Sequence, residues 1–300
     1  MGTWRTLGHP PPEALSAARL EAHWASQVLS AFGDSQLPHR EDYRHRAMSW
    51  SDENEALISF QESPEGLSLA LDLGDLRLLM LERGARVATM DLAGETLDDA
   101  FAWVNTQLPD GATPVVPLDT SRIPPHAVGS GAVFIRADPD ASLELARWFA
   151  NVAGLLETVR AREPHAAPVL CWPHHFDLAT LVVLDPDDDP EEARSIGVGM
   201  VPGDDSYAEP YLYVTPWPYP ESPTLHDLPS GGRWHTESWL GGVLNAYELV
   251  ALVASDAQRA SAQAFLDQAT RACRVLLGAP PTTAAVDPTP PPAAAWDSDA

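Results

Sequence analysis

Residues 56–92, ALISFQESPEGLSLALDLGDLRLLMLERGARVATMDL, decide the fold class. The runs ALISFQES, GLSLALDL, LRLLMLE and RVATMDL are of strand length and rich in strand formers. Pro64-Glu65-Gly66, Gly74-Asp75 and Arg83-Gly84 divide them with turn chemistry. Strand-length runs joined by such short turns predict an antiparallel meander.

Helical spacing frames that meander. Glu13 to Phe32 carries Leu15, Leu20, Trp24, Val28 and Leu29 on one side and is stopped by Gly33, and a polar loop through His39 and His45 follows. Downstream, Leu97, Phe101, Val104 and Leu108 predict a helix over 95–108. Pro, Asp and Gly crowd residues 109–131, which reads as a connector.

The plan then repeats. A helix is expected from Ser142, its N-cap, to Arg162. Strands are expected in PVLCW, FDLATLVVL, SIGVGMV, YAEPYLYVT and WHTESWLGGVLNA. A last helix should run from Ser255 to Leu277, with Ser255 and Gln258 as a capping box. The expectation is an α+β fold of antiparallel sheets with flanking helices, in two related helix–meander–helix halves over 13–115 and 116–278. A flexible lead-in (1–12) and a disordered Pro/Ala tail (279–300) complete it.

Composition narrows the partners. A formal charge of −25, with all 18 basic residues Arg, gives a field that repels phosphate backbones and anionic lipid, so neither nucleic acid nor membrane is expected. No apolar run is long enough to span a bilayer, and Cys171 and Cys273 stand far apart without a CxxC pair, so a reduced, cytoplasmic chain is expected.

The tract from Trp172 to Trp239 holds the chemistry-bearing residues. In WPHHFD, alternation predicts His175 and Asp177 on one strand face with His174 opposite. In RWHTESW it predicts His235 and Glu237 on one face, with Trp234 on the other. Paired imidazoles and carboxylates suit a divalent transition metal with an open position for water, so His175, Asp177, His235 and Glu237 are candidate ligands. The bland alternative is that these are hydrogen-bonded structural residues. In PGDDSYAEPYLYVTPWPYP, Pro202-Gly203-Asp204-Asp205 is turn chemistry. Glu209, Tyr211 and Tyr213 alternate onto one face, and the prolines after Tyr213 extend an arm bearing Trp217. The acidic run from Asp185 lacks the Gly and Glu that a calcium loop needs, having Pro190 and Ile196 there.

At WPHHFDLAT, GVGMVPGDDSYAEPYLYVTPWP and WHTESWLGGVL the chain resembles a family of uncharacterised bacterial proteins, a domain of unknown function with WxxxFDLA, PGD-hairpin and PYxY motifs. The resemblance implies one integrated unit and no known activity. The absence of Lys beside heavy Ala, Arg and Pro usage fits a bacterial coding bias.

Three functions follow as expectations. The first is binding of a small polar or cationic molecule by His175, Asp177, Glu209, Tyr211, Trp217 and His235. The second is a metal-assisted hydrolase with Asp204 or Glu209 as base. The third is an interaction module using the Pro/Trp arm. Oligomeric state is left open.

Overall fold

The computed structural model describes residues 3–61, 63–189 and 192–280, so all but the first two residues of the expected 279–300 tail lie outside it. It is an α+β protein of antiparallel strands with flanking helices, and its contacts divide into two compact units.

The N-terminal unit comprises His9–Ala150 and Leu170–Asp177. After a 3-10 turn opened by Pro12 come α1 (Ser16–Gln36), β1 (Met48–Ser51), β2 (Ala56–Ser59), β3 (Leu67–Asp72), β4 (Arg77–Glu82), β5 (Ala85–Asp91) and α2 (Leu97–Gln107). The first part of α3 (Pro139–Arg162) and β6 (Leu170–Trp172) complete it. The strands run β6-β1-β2-β3-β4-β5, all antiparallel, as residues 56–92 predict. Glu82 pairs with Ala85 across the two-residue loop Arg83-Gly84, whose φ values of 49° and 79° are the left-handed pair that matches strand twist in a tight hairpin. Helix α1 packs on β2 and β3, and β3 is buried on both faces. The outer strand β5 is mostly exposed and carries Arg86 and Asp91, charges that discourage pairing with another chain.

Among the described residues, the C-terminal unit comprises 3–8, Asn151–Val169, 178–189 and 192–280. It holds the rest of α3, β7 (Asp177–Val183, whose first residue belongs to the other unit), β8 (Ser195–Val201), β9 (Tyr211–Trp217), β10 (Arg233–His235), β11 (Gly241–Asn245), α4 (Ala246–Val250) and α5 (Ser255–Leu276). Its strands run β7-β8-β9-β11-β10. Helix α5 covers one face through β8, β9 and β11. No helix of the described residues is long and apolar enough to cross a membrane.

Four expectations change here. The division does not fall at 115/116: the expected connector is packed into the N-terminal unit. There, Pro124 O accepts from Trp24 Nε1 (2.9 Å), Glu21 Oε2 accepts from the Ile135 amide (3.1 Å), and Arg136 meets Asp75 (2.9 Å). The lead-in is not loose, because Trp4 and Leu7 are buried. Gln258, expected to cap α5, is fully buried instead. Its amide accepts from Trp4 Nε1 and the Leu7 N–H and donates to Leu7 O and Leu252 O, while Ala254 starts α5 without a side-chain cap. A buried amide satisfied on both ends outweighs an exposed cap. Helix α3 likewise begins before Ser142, where Asp138 Oδ1 accepts from the amides of Asp140 and Ala141.

Candidate functional site

The geometry of β8–β11 follows from alternation across paired strands. Gly242 pairs with Val214 and with Trp234, and a Cβ on Gly242 would meet Leu228, Ala269 and Phe265, so these partners share the face toward α5. The neighbours Tyr211, Tyr213 and His235 therefore point to the opposite face.

That opposite face is a closed polar–aromatic cluster. Tyr213 lies over Gly199, where a Cβ would sit 2.8 Å from its ring and from Leu178 O, so the ring requires glycine beneath it. Tyr211 is buried and donates its hydroxyl to Asp204 Oδ2 (2.7 Å), while Asp204 Oδ1 accepts from the amides of Ser206 and Tyr207 (2.8 and 2.9 Å). The Tyr207 hydroxyl is 2.9 Å from His235 Nδ1, the Arg233 guanidinium stands 5.2 Å from the Tyr207 ring centroid, and Trp239 stacks on His235 at 4.3 Å and 22°. Nε2 of His235 is buried without a hydrogen-bond partner.

On the α5 face lies an open groove of about 470 Å³ between the extended segment Pro220–Leu228 and the last turns of α5. Pro220, Pro223, Leu228, Trp234, Ala272, Val275 and Leu276 give it an apolar lining, and His226, Asp227, Gln268 and Arg271 give it polar edges. Trp234 Nε1 donates to His226 O (2.8 Å), pinning the extended segment to β10, and Arg271 is oriented by donating from Nε and Nη2 to Gln268 Oε1.

In the N-terminal unit WPHHFD forms a turn, not a continuous strand. The Phe176 amide donates to Trp172 O (2.7 Å), and Phe176 adopts φ 55°. The expected alternation of His175 with Asp177 is lost: His175 is exposed in the turn and Asp177 is buried at the start of β7. Pro173 O accepts from His23 Nε2 (2.9 Å) and Gln27 Nε2 (2.8 Å), and His23 stacks on Phe176 at 5.0 Å. Burial pushes His23 down to about 4 against the Pro173 bond, with Arg19 and His175 adding repulsion. Burial, then His175, Arg122 and His23, push His174 down to about 4 as well. His23 is thus packed and His174 half-buried against the turn, while His175 stands exposed.

The candidates therefore sort into two groups. His175 and Asp177 belong to the N-terminal unit; Asp204, Glu209, Tyr211, Trp217, His235 and Glu237 belong to the C-terminal unit. Of the latter, Asp204, Tyr211 and His235 join the closed cluster. Glu209 Oε1 accepts from Tyr247 (3.2 Å), the exposed Trp217 contacts Tyr219, and Glu237 is exposed in the bend after β10. Neither expected metal pair gathers a third His, Cys or carboxylate ligand in its own unit; among the described residues the grouping that does so is Asp34, His39 and His45. Sequence reading missed Tyr207 and Trp239 as cluster members, and His226, Asp227 and Arg271 as groove residues. Only Trp234 carried a signal, through its alternation with His235.

No family model, curated protein or solved structure matches the chain.

Proposed function

We propose that the C-terminal unit binds a small polar molecule with an apolar face in the groove between Pro220–Leu228 and α5. The observation that carries this reading is the groove itself. Its volume of about 470 Å³ falls within the range of small-molecule sites, and its apolar walls with a few polar groups are what such sites require. Trp234 supplies a flat apolar surface, while Arg271, Asp227 and His226 offer donors and an acceptor at the rim. The chain's net charge of −25 supports a small molecule over nucleic acid as the partner.

The residues expected as direct ligands take another part. Both oxygens of Asp204 are engaged, which argues against its service as a general base. Asp204, Tyr207, Tyr211 and His235 fix the hairpin and β10 from behind, and β10 presents Trp234 to the groove.

Thermal-shift screening of a fragment library tests the reading. Hits should stabilise the wild type and Tyr211→Phe, and lose their effect with Trp234→Ala and Arg271→Ala. Hits whose shifts survive both groove substitutions would place binding elsewhere.

A further inference from the structure

We propose that Asp34, His39 and His45 form a binding site for a divalent transition ion, with zinc the best chemical match. One ligand atom from each residue lies within 4.8 Å of the others, so a contraction of about an ångström brings them to the bond lengths of about 2.0–2.2 Å that zinc makes with imidazole and carboxylate. Three such ligands leave a fourth position for water. Calcium and magnesium prefer all-oxygen shells, which two imidazoles do not supply.

A second observation points into the same place. The His45 side chain is only 1% exposed, yet its Nε2 has no hydrogen-bond partner and lies 3.4 Å from Asp34 Oδ1. A buried ring nitrogen that makes no regular hydrogen bond, faces the Asp34 carboxylate at ion-pair distance and lies beside a second imidazole is placed to give its lone pair to a cation shared by all three. The backbone holds this arrangement. Asp34 sits in the last turn of α1, whose negative end attracts a cation. A Cβ on Gly33 would collide with the His45 carbonyl, so glycine permits the close approach of the returning loop. His39 stands over His45 with ring centroids 4.7 Å apart.

Two contacts bear on ion binding, and the one that must adjust gives the proposal a signature. Arg46 Nε bonds Asp34 Oδ1 at 2.7 Å, which directs the ion toward Oδ2. The Arg40 amide donates to His45 Nδ1 at 3.1 Å. An imidazole that coordinates through Nε2 carries its proton on Nδ1, so ion binding must turn the Arg40 amide away. Residues 38–41 are exposed, which leaves room for that rotation.

The test uses the tag-free full chain, stripped with chelator and titrated with Zn²⁺ by calorimetry and with Co²⁺ by visible absorption. The expected result is one equivalent bound, with a Co²⁺ spectrum of nitrogen and oxygen ligation and a displaced Arg40 amide resonance. His39→Ala, at an exposed position, should weaken binding by at least about tenfold while leaving the fold intact, and Asp34→Asn should do the same. Absence of binding by the wild type, or binding that survives both substitutions, or an unmoved Arg40 amide in the loaded protein, would each overturn the site.

Discussion

The two faces of β9, β10 and β11 are built from neighbouring residues and have opposite characters. The face bearing Tyr211, Tyr213 and His235 is polar in composition and closed, with Asp204 and Tyr207 bound into the same network. The face bearing Val214, Gly242 and Trp234 is apolar in composition, and beside it the chain leaves a groove open. Density of chemistry-bearing residues thus marks polar packing here, while the open site is marked by prolines, which carry no amide donor and so keep the segment from pairing as a further strand. Hydrogen bonding explains the difference: buried hydroxyls and imidazoles seek each other, so a cluster of them closes unless something keeps it apart.

The same contrast between packed and open polar groups can be tested first through pH in the N-terminal unit, since burial of His23 disfavours its charged form. His23 is depressed to about 4, so its contribution is fully present above about 6.5. As pH falls the unfolded chain takes up the proton first, and the stability that His23 contributes should drop by about 3 kcal/mol between 6.5 and 4, with His174 adding a loss of the same sign. Urea melts across that range should show the slope, and His23→Phe should reduce it, leaving the share that His174 contributes; a wild type with constant stability would contradict the packed reading.

A somewhat smaller effect is expected from Gly199→Val, which forces a side chain between Tyr213 and Leu178 O. It should cost about 2–3 kcal/mol in chemical denaturation. A neutral result would mean that the tyrosine face is looser than described.

Tyr211→Phe removes one hydroxyl from Asp204 and should cost about 1 kcal/mol without altering ligand binding in the groove. A variant of normal stability that lost the ligand would reverse the roles assigned to the two faces. Least affected should be Trp217→Ala: the side chain is 46% exposed, and its stability should stay within about 0.5 kcal/mol of wild type.

Much of the fold was legible in the sequence because the meander of residues 56–92 and the apolar spacing of α1 and α2 are local patterns. The boundaries were less so. Gln258 looked like a capping residue until Trp4 and Leu7, about 250 positions away, claimed its amide. WPHHFD alternates on paper, yet Phe176 takes a left-handed conformation and turns His175 outward. The candidate site was half legible. Alternation correctly set Trp234 against His235, but nothing local told which face α5 would cover, and a groove made with Arg271 and Val275 exists only after α5 has packed.

The central claim is that the open face of β10 is the binding face, and chemical-shift mapping of the strongest fragment hit tests it most directly. The account predicts that the Trp234 indole and the methyl groups of Ala272, Val275 and Leu276 shift together, while Tyr207 and His235 stay nearly still. Perturbations centred on Tyr207, His235 and Trp239, with the α5 methyls unmoved, would contradict it.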